Sequence, residues 1–229
     1  MGFRRRIEPM KRLEGESLIS ALAGIGMEFS APPLRHPAIE DTLFFASEEG
    51  MERDDLRVLS VLTIWLEIHA DWINVNRLVR LVELSDSHRV HAYWSAIAQW
   101  LGKDRRYQRL KTRRAQRRVD LLRTGNDFQI KRKGEDPRFR GSCLGVPNGT
   151  LRIRYADVLD PVALAQLHKG YRSRIIQGPS YRADMWAQLE ENASLTASEL
   201  ARLTYGSFET ARLTKRDFEL VHSSTTTET

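Results

Sequence analysis

On a helical wheel of about 100° per residue drawn from Phe208 onward, Arg212, Lys215 and Arg216 fall on one side and Ala211, Thr214, Phe218 and Val221 on another. A helix of that kind can dock through its apolar side and offer guanidinium groups to base edges, since bidentate Arg to guanine is the commonest specific contact with DNA. A denser run of cation lies upstream, with Arg105, Arg106, Arg109, Arg113, Arg114 and Arg117 followed by Lys131, Arg132 and Lys133. Left alone such a block repels itself. Phosphate neutralises it and releases counterions on binding. Groups suited to making and breaking bonds are fewer. His88 and His91 lie three apart on an expected helix and could share a metal, but no Cys or Glu stands as an evident third ligand, so two exposed histidines are the expectation. Cys143, in a Gly-rich loop, has no identifiable base, and there is neither a Gly-x-Ser-x-Gly elbow nor a G-K-[ST] phosphate loop.

The stretch from Leu195 to Val221 gathers several local signals. Thr196 and Glu199 form a T-x-x-E capping box ahead of Leu200, Ala201 and Leu203; Tyr205, Gly206 and Ser207 supply a turn; and Ser207 stands as N-cap of a second helix from Phe208 to about Val221. These are the parts of a helix-turn-helix. The phrasing Leu195-Thr196-Ala197-Ser198-Glu199-Leu200-Ala201-Arg202-Leu203, then Ser207, Thr210 and Ala211, resembles bacterial winged helix-turn-helix repressors. The usual turn Gly is displaced by one, with Tyr205 in its place. The resemblance implies a DNA-binding transcription regulator. The two-part organisation also resembles antitoxin repressors that accompany nucleotidyltransferase toxins, which implies a partner toxin protein. A rival enzymatic pattern sits at 119–131. Asp120 and Gln129-Ile130-Lys131, on the two strands of an expected hairpin, resemble the D…(E/Q)-x-K arrangement of restriction-endonuclease-like nucleases. That resemblance implies Mg²⁺ held by carboxylate and Gln oxygen, with Lys131 assisting the attacking water.

The elements that must position these residues read as mainly α with small β-hairpins, in helix-turn-helix or winged-helix modules. Residues 1–52 read as an N-terminal arm and helical cap, with Arg4, Arg5 and Arg6 in the arm, a helix over Lys11–Ile25, and another from Ala38 to Ser47 before Gly50. Residues 53–136 read as a helical module. Leu56 to Ile68 outline one helix, Asn74 caps a second, and Ser85 or Ser87 opens a third with Val90, Tyr93, Trp94, Ile97 and Trp100 at helical spacing. That third helix is expected to continue, past a break at Gly102, through the basic block to Arg118. Val119–Leu122, a Thr124–Asp127 turn and Phe128–Lys131 are expected to follow as a basic hairpin wing. Residues 137–178 form a connecting loop, a strand over Leu151–Tyr155, and a helix capped by Asp160 that carries Val162 to Ile175. Residues 179–222 are the C-terminal helix-turn-helix, opened by a helix from Tyr181 to Glu190, and 223–229 a disordered tail.

Charge distribution supports an anionic partner. The chain carries +6 overall, but Lys103–Arg154 holds 17 basic and 5 acidic residues, leaving the remainder net acidic. Double-stranded DNA is the expected partner, with a homodimer as a further expectation, no cofactor, and a regulator in preference to an enzyme. An RNA- or protein-binding adaptor is the third function class. One cysteine fits a reducing cytoplasm, and no apolar stretch approaches the ~20 residues of a membrane span.

Overall fold

Asp55, Asn74, Ser87 and Asp160 each precede an apolar run of helical period. In the computed structural model, which describes residues 8, 9, 11–111 and 117–223, each caps a helix with its side-chain oxygen. The caps satisfy first-turn N–H groups that have no partner inside a helix. The described helices are α1 (Gly15–Gly24), α2 (Ile39–Glu52), α3 (Leu56–His69), α4 (Val75–Leu84), α5 (His88–Trp100), α6 (Asn126–Lys133), α7 (Pro161–Leu167), α8 (Lys169–Gln177), α9 (Tyr181–Glu191), α10 (Ala197–Leu203) and α11 (Phe208–Ser223). Strands β1 (Val119–Asp120) and β2 (Leu144–Gly145) form a small parallel pair, Val119 opposite Leu144 and Asp120 opposite Gly145. The protein is therefore mainly helical. Among the described residues no helix is long and apolar enough to cross a membrane.

One apolar cluster runs from Leu18 to Tyr171 and joins α1–α5 to the 3₁₀ turn at Arg105–Leu110, the strands, α7 and α8. Its largest side chains keep their polar atoms paired, as burial requires. Trp65 Nε1 donates to the Ile25 carbonyl at 2.8 Å, and Trp94 Nε1 to Ser47 Oγ at 2.8 Å. Gly50, expected to end α2, lies inside it, because a Cβ there would meet Leu59 Cγ at 2.2 Å. The glycine permits α2 to touch α3. A second cluster of Met185, Leu189, Leu200, Ala201, Ala211 and Phe218 holds α9, α10 and α11 together.

Four sequence expectations are corrected. The basic block does not continue α5, which ends at Trp100. Arg105–Leu110 is 3₁₀ helix, whose three-residue turn puts Tyr107 and Leu110 on one buried side, and Tyr107 Oη donates to the Ala70 carbonyl at 2.7 Å. The wing is absent: Phe128–Lys131 belongs to α6, which begins after Gly125 in the left-handed region (φ +69°) and ends at Gly134 (φ +80°). β1 pairs instead with β2, far along the chain, and is stapled to α5 by Arg89, which donates to the Asp120 and Leu121 carbonyls at 3.0 and 2.9 Å. Residues 151–154 form no strand, because Arg152 N–H is taken by Ser60 Oγ at 3.1 Å. The helix after Asp160 is broken at His168. Its Nδ1 accepts from Tyr171 N–H at 3.1 Å to cap α8, and its Nε2–H donates to the Pro37 carbonyl at 3.0 Å.

Candidate nucleic-acid interface

The α10–α11 pair forms much as its sequence dictates. Thr196 Oγ1 accepts from Glu199 N–H at 3.2 Å, while Glu199 Oε2 accepts from Thr196 N–H at 2.8 Å. Ser207 Oγ accepts from Thr210 N–H at 3.1 Å and opens α11. Ala211, Thr214 and Phe218 are buried against α9 and α10, but Val221 is 59 % exposed because α11 outruns the second cluster.

The turn between α10 and α11 is where the sequence departs from its resemblance, and the structure gives the reason. Tyr205 takes the left-handed conformation (φ +59°), which costs a non-glycine residue about 1–2 kcal/mol. Its side chain offsets that cost. Tyr205 Oη donates to Asp41 Oδ2 at 2.5 Å, and the Arg77 guanidinium lies 3.7 Å from the ring centroid. Arg77 in turn donates to Asp41 Oδ1 at 2.9 Å. Gly206 follows because a Cβ there would meet Met185 Cε at 2.1 Å. A second polar link lies alongside. Arg174 of α8 donates to Glu40 Oε1 and Oε2 of α2 at 2.6 and 3.0 Å, and to Asp184 Oδ1 and Oδ2 of α9 at 2.7 and 3.0 Å. The turn residue and this arginine thus lock α9–α11 onto α2, α4 and α8. Nothing in the local periodicity announces this seam; the signal available was Tyr standing where the turn glycine belongs.

The outward residues of α11 are tied to carboxylates. Arg212 donates to Glu209 at 2.7 and 3.1 Å, Arg216 to Asp217 at 2.7 and 3.0 Å, and Lys215 Nζ lies 3.2 Å from Glu219 and donates to the Ala193 carbonyl at 3.0 Å. Hydrogen bonding from these arginines holds Glu209 and Asp217 below the usual carboxylate range. Such exposed pairs contribute little in water and exchange readily for another anion.

The upstream cations divide into two kinds. Arg106 is spent on Asp104, at 2.8 Å, and on the Asp71 carbonyl, and Arg109 on Asn76. Arg105, Arg117, Lys131, Arg132 and Lys133 are exposed and make no ion pair among the described residues. Arg113 and Arg114, like Arg4, Arg5 and Arg6, lie outside the described residues.

The nuclease arrangement is not assembled. Asp120 Oδ1 accepts from Asn126 Nδ2 at 2.9 Å, and Gln129 and Lys131 stand two apart on a helix, about 200° around it, so they do not share a face. Gln129 shares a face with Lys133 instead, and both line a cavity. His91 is buried, its Nε2–H donating to the Ser85 carbonyl at 2.9 Å, while His88 is exposed; the expected exposed pair is corrected. No cluster of three or more His, Cys, Asp or Glu suited to a metal occurs among the described residues. Cys143 is half-buried, with its Sγ 3.5 Å from the Ala92 carbonyl. Residues that sequence reasoning missed as a group are Arg57, Arg152 and Arg154, which come from α3 and from the 149–157 segment, irregular up to the 3₁₀ turn at Tyr155–Asp157. Comparison with protein-family models, with curated proteins and with solved structures gives no match.

Proposed function

We propose that the protein is a DNA-binding regulator in which α11 enters the major groove of duplex DNA and the cations of the larger body contact phosphates. The observation that carries the reading is the α9–α11 unit itself. It has its own apolar cluster, a short α10, a turn over 204–207, and an α11 whose outward side bears Arg212 and Arg216, 52 % and 59 % exposed. A second helix presented in this way is the recognition element of helix-turn-helix proteins. Arg105, Arg117, Lys131 and Arg132, free of carboxylates, are suited to sequence-independent phosphate contact. An antitoxin-type repressor with a partner toxin protein is the form that the sequence resemblance favours.

Selection of a preferred site from random duplexes, followed by titration of variants, tests the reading. Arg212→Ala is expected to lower the ratio of preferred to random binding by about ten-fold, as expected for losing one bidentate guanine contact. Arg117→Ala is expected to weaken both DNAs equally and to flatten the salt dependence by about one ion. A ratio unchanged by both Arg212→Ala and Arg216→Ala removes α11 as the reading element.

A further inference from the structure

Between the start of α3, the inner face of α6 and the 149–157 segment lies a cavity of about 500 Å³. Arg57, Lys133, Arg152 and Arg154 line it, with Asp157 as the carboxylate among its lining residues, and only Arg154 approaches that carboxylate, at 3.9 Å. Arg57 lies against the Phe29 ring at 5.1 Å, and among the described residues the side chains of Lys133 and Arg152 make no hydrogen bond or ion pair. Four cations brought to one concavity against one carboxylate leave an unbalanced positive field, which an entering anion relieves. The backbone that carries two of these cations is held in place. Ser60 Oγ fixes the Arg152 backbone to α3, and Lys133 stands at the end of a regular helix.

A second observation defines the ligand further. Gln129 lines the same cavity and makes no side-chain hydrogen bond, and its Oε1 is buried without a partner. Buried amides are normally satisfied. A primary amide offers an acceptor and a donor side by side, the pattern that pairs with the edge of a nucleobase. A cavity of this size accommodates a ligand as large as a nucleotide. Across the 149–154 segment, a more open trough of about 850 Å³ shares Gly149, Arg152 and Arg154 and adds Tyr155, whose half-exposed ring is held by its hydroxyl donating to Glu67 at 3.2 Å.

We propose that the first cavity binds a nucleotide unit, its phosphate held by Arg57, Lys133 and Arg152 and its base edge read by Gln129. The unit comes either from a free nucleotide or from an unpaired nucleotide of a single strand, which continues into the trough and stacks on Tyr155. This site does not rest on duplex reading by α11 and is tested apart from it.

The test is calorimetric titration of the full chain with adenosine monophosphate, adenosine, inorganic phosphate and a single-stranded oligodeoxyadenylate, each with Arg152→Ala, Gln129→Leu and Tyr155→Ala. Circular dichroism confirms folding of each variant. Binding of the monophosphate or the oligonucleotide, weakened about ten-fold or more by Arg152→Ala and by Gln129→Leu, supports the site. Insensitivity to Tyr155→Ala assigns the free nucleotide. Binding of the oligonucleotide alone, lost in Tyr155→Ala, assigns the strand. The proposal is overturned if neither ligand binds, if binding survives Arg152→Ala and Gln129→Leu, or if adenosine or inorganic phosphate binds as tightly as the monophosphate.

Discussion

Tyr205 concentrates three demands on one residue: a left-handed backbone, a ring under Arg77 and a hydroxyl on buried Asp41. If backbone strain dominated, Tyr205→Gly would stabilise the protein; if the side-chain contacts dominate, it destabilises. The contacts win on magnitude. Relief of the backbone returns about 1–2 kcal/mol, while the loss includes a buried ring and a charge-assisted hydrogen bond worth about 1.5–3 kcal/mol. Urea unfolding is therefore expected to rank wild type above Tyr205→Phe, and Tyr205→Phe above Tyr205→Gly, with the first step about 1–3 kcal/mol. Tyr205→Gly equal to wild type would remove the side chain's anchoring role. His168 carries a second residue-scale effect. Burial depresses it to about 4, so the unfolded chain takes up a proton near pH 6.5 while the folded protein does not. Its contribution is complete above pH 6.5 and is lost as pH falls toward 4. Wild type is expected to lose up to about 3 kcal/mol relative to His168→Gln over that window, which unfolding curves at pH 7, 5.5 and 4.5 measure. The gap between the two proteins should close, not widen, as acid is added.

At the scale of elements, caps carried most of the readable information. Asp160 accepts from Val162 and Ala163 N–H at 2.8 and 2.9 Å with Pro161 behind it, so Asp160→Ala is expected to cost about 1 kcal/mol and Asp160→Asn much less, by thermal unfolding. The helix starts at Val75, His88, Pro161, Ala197 and Phe208 were legible because each is announced by a side chain within a residue or two of the start, whereas the helix from Leu56 is outlined by its apolar period alone. The 119–134 region was not. Val119 to Leu122 and Phe128 to Ile130 have strand-like composition around a Gly-containing turn, a pattern that a hairpin and a strand followed by a helix share. The choice was made by β2 and by Arg89, both distant in sequence. The same applies to the candidate sites. The α10–α11 pair could be read because its signals are contiguous, whereas Arg57, Gln129, Lys133 and Arg152 meet only through α3, α6 and a segment whose backbone is consumed by Ser60. Periodicity cannot report a meeting of that kind.

Across the whole molecule, cation is shared unequally between two surfaces. On α11 each described Arg and Lys is matched to a carboxylate of its own helix, while Arg105, Arg117, Lys131, Arg132 and Lys133 on the larger body have none among the described residues. Raising salt should therefore weaken total duplex affinity steeply while leaving the ratio between preferred and random DNA nearly constant, because the salt-sensitive contacts are those without sequence information. A ratio that collapses along with affinity in a fluorescence titration would place the reading in the cationic surface instead.

The seam of Arg174, Glu40 and Asp184 also governs how the protein comes apart. Two separate apolar clusters would, by themselves, melt as two units. Arg174 of α8 and Glu40 of α2 belong to elements of the first cluster and Asp184 to α9, so the Arg174–Asp184 pair spans the two, and removing one partner of a buried pair costs about 3–5 kcal/mol. The clusters should consequently denature together, in one calorimetric peak whose van't Hoff and measured enthalpies agree. In Asp184→Ala, which removes the partner that α9 supplies, that agreement should fail, with α9–α11 melting first. Cooperativity here is a property of the polar seam, and the apolar clusters inherit it.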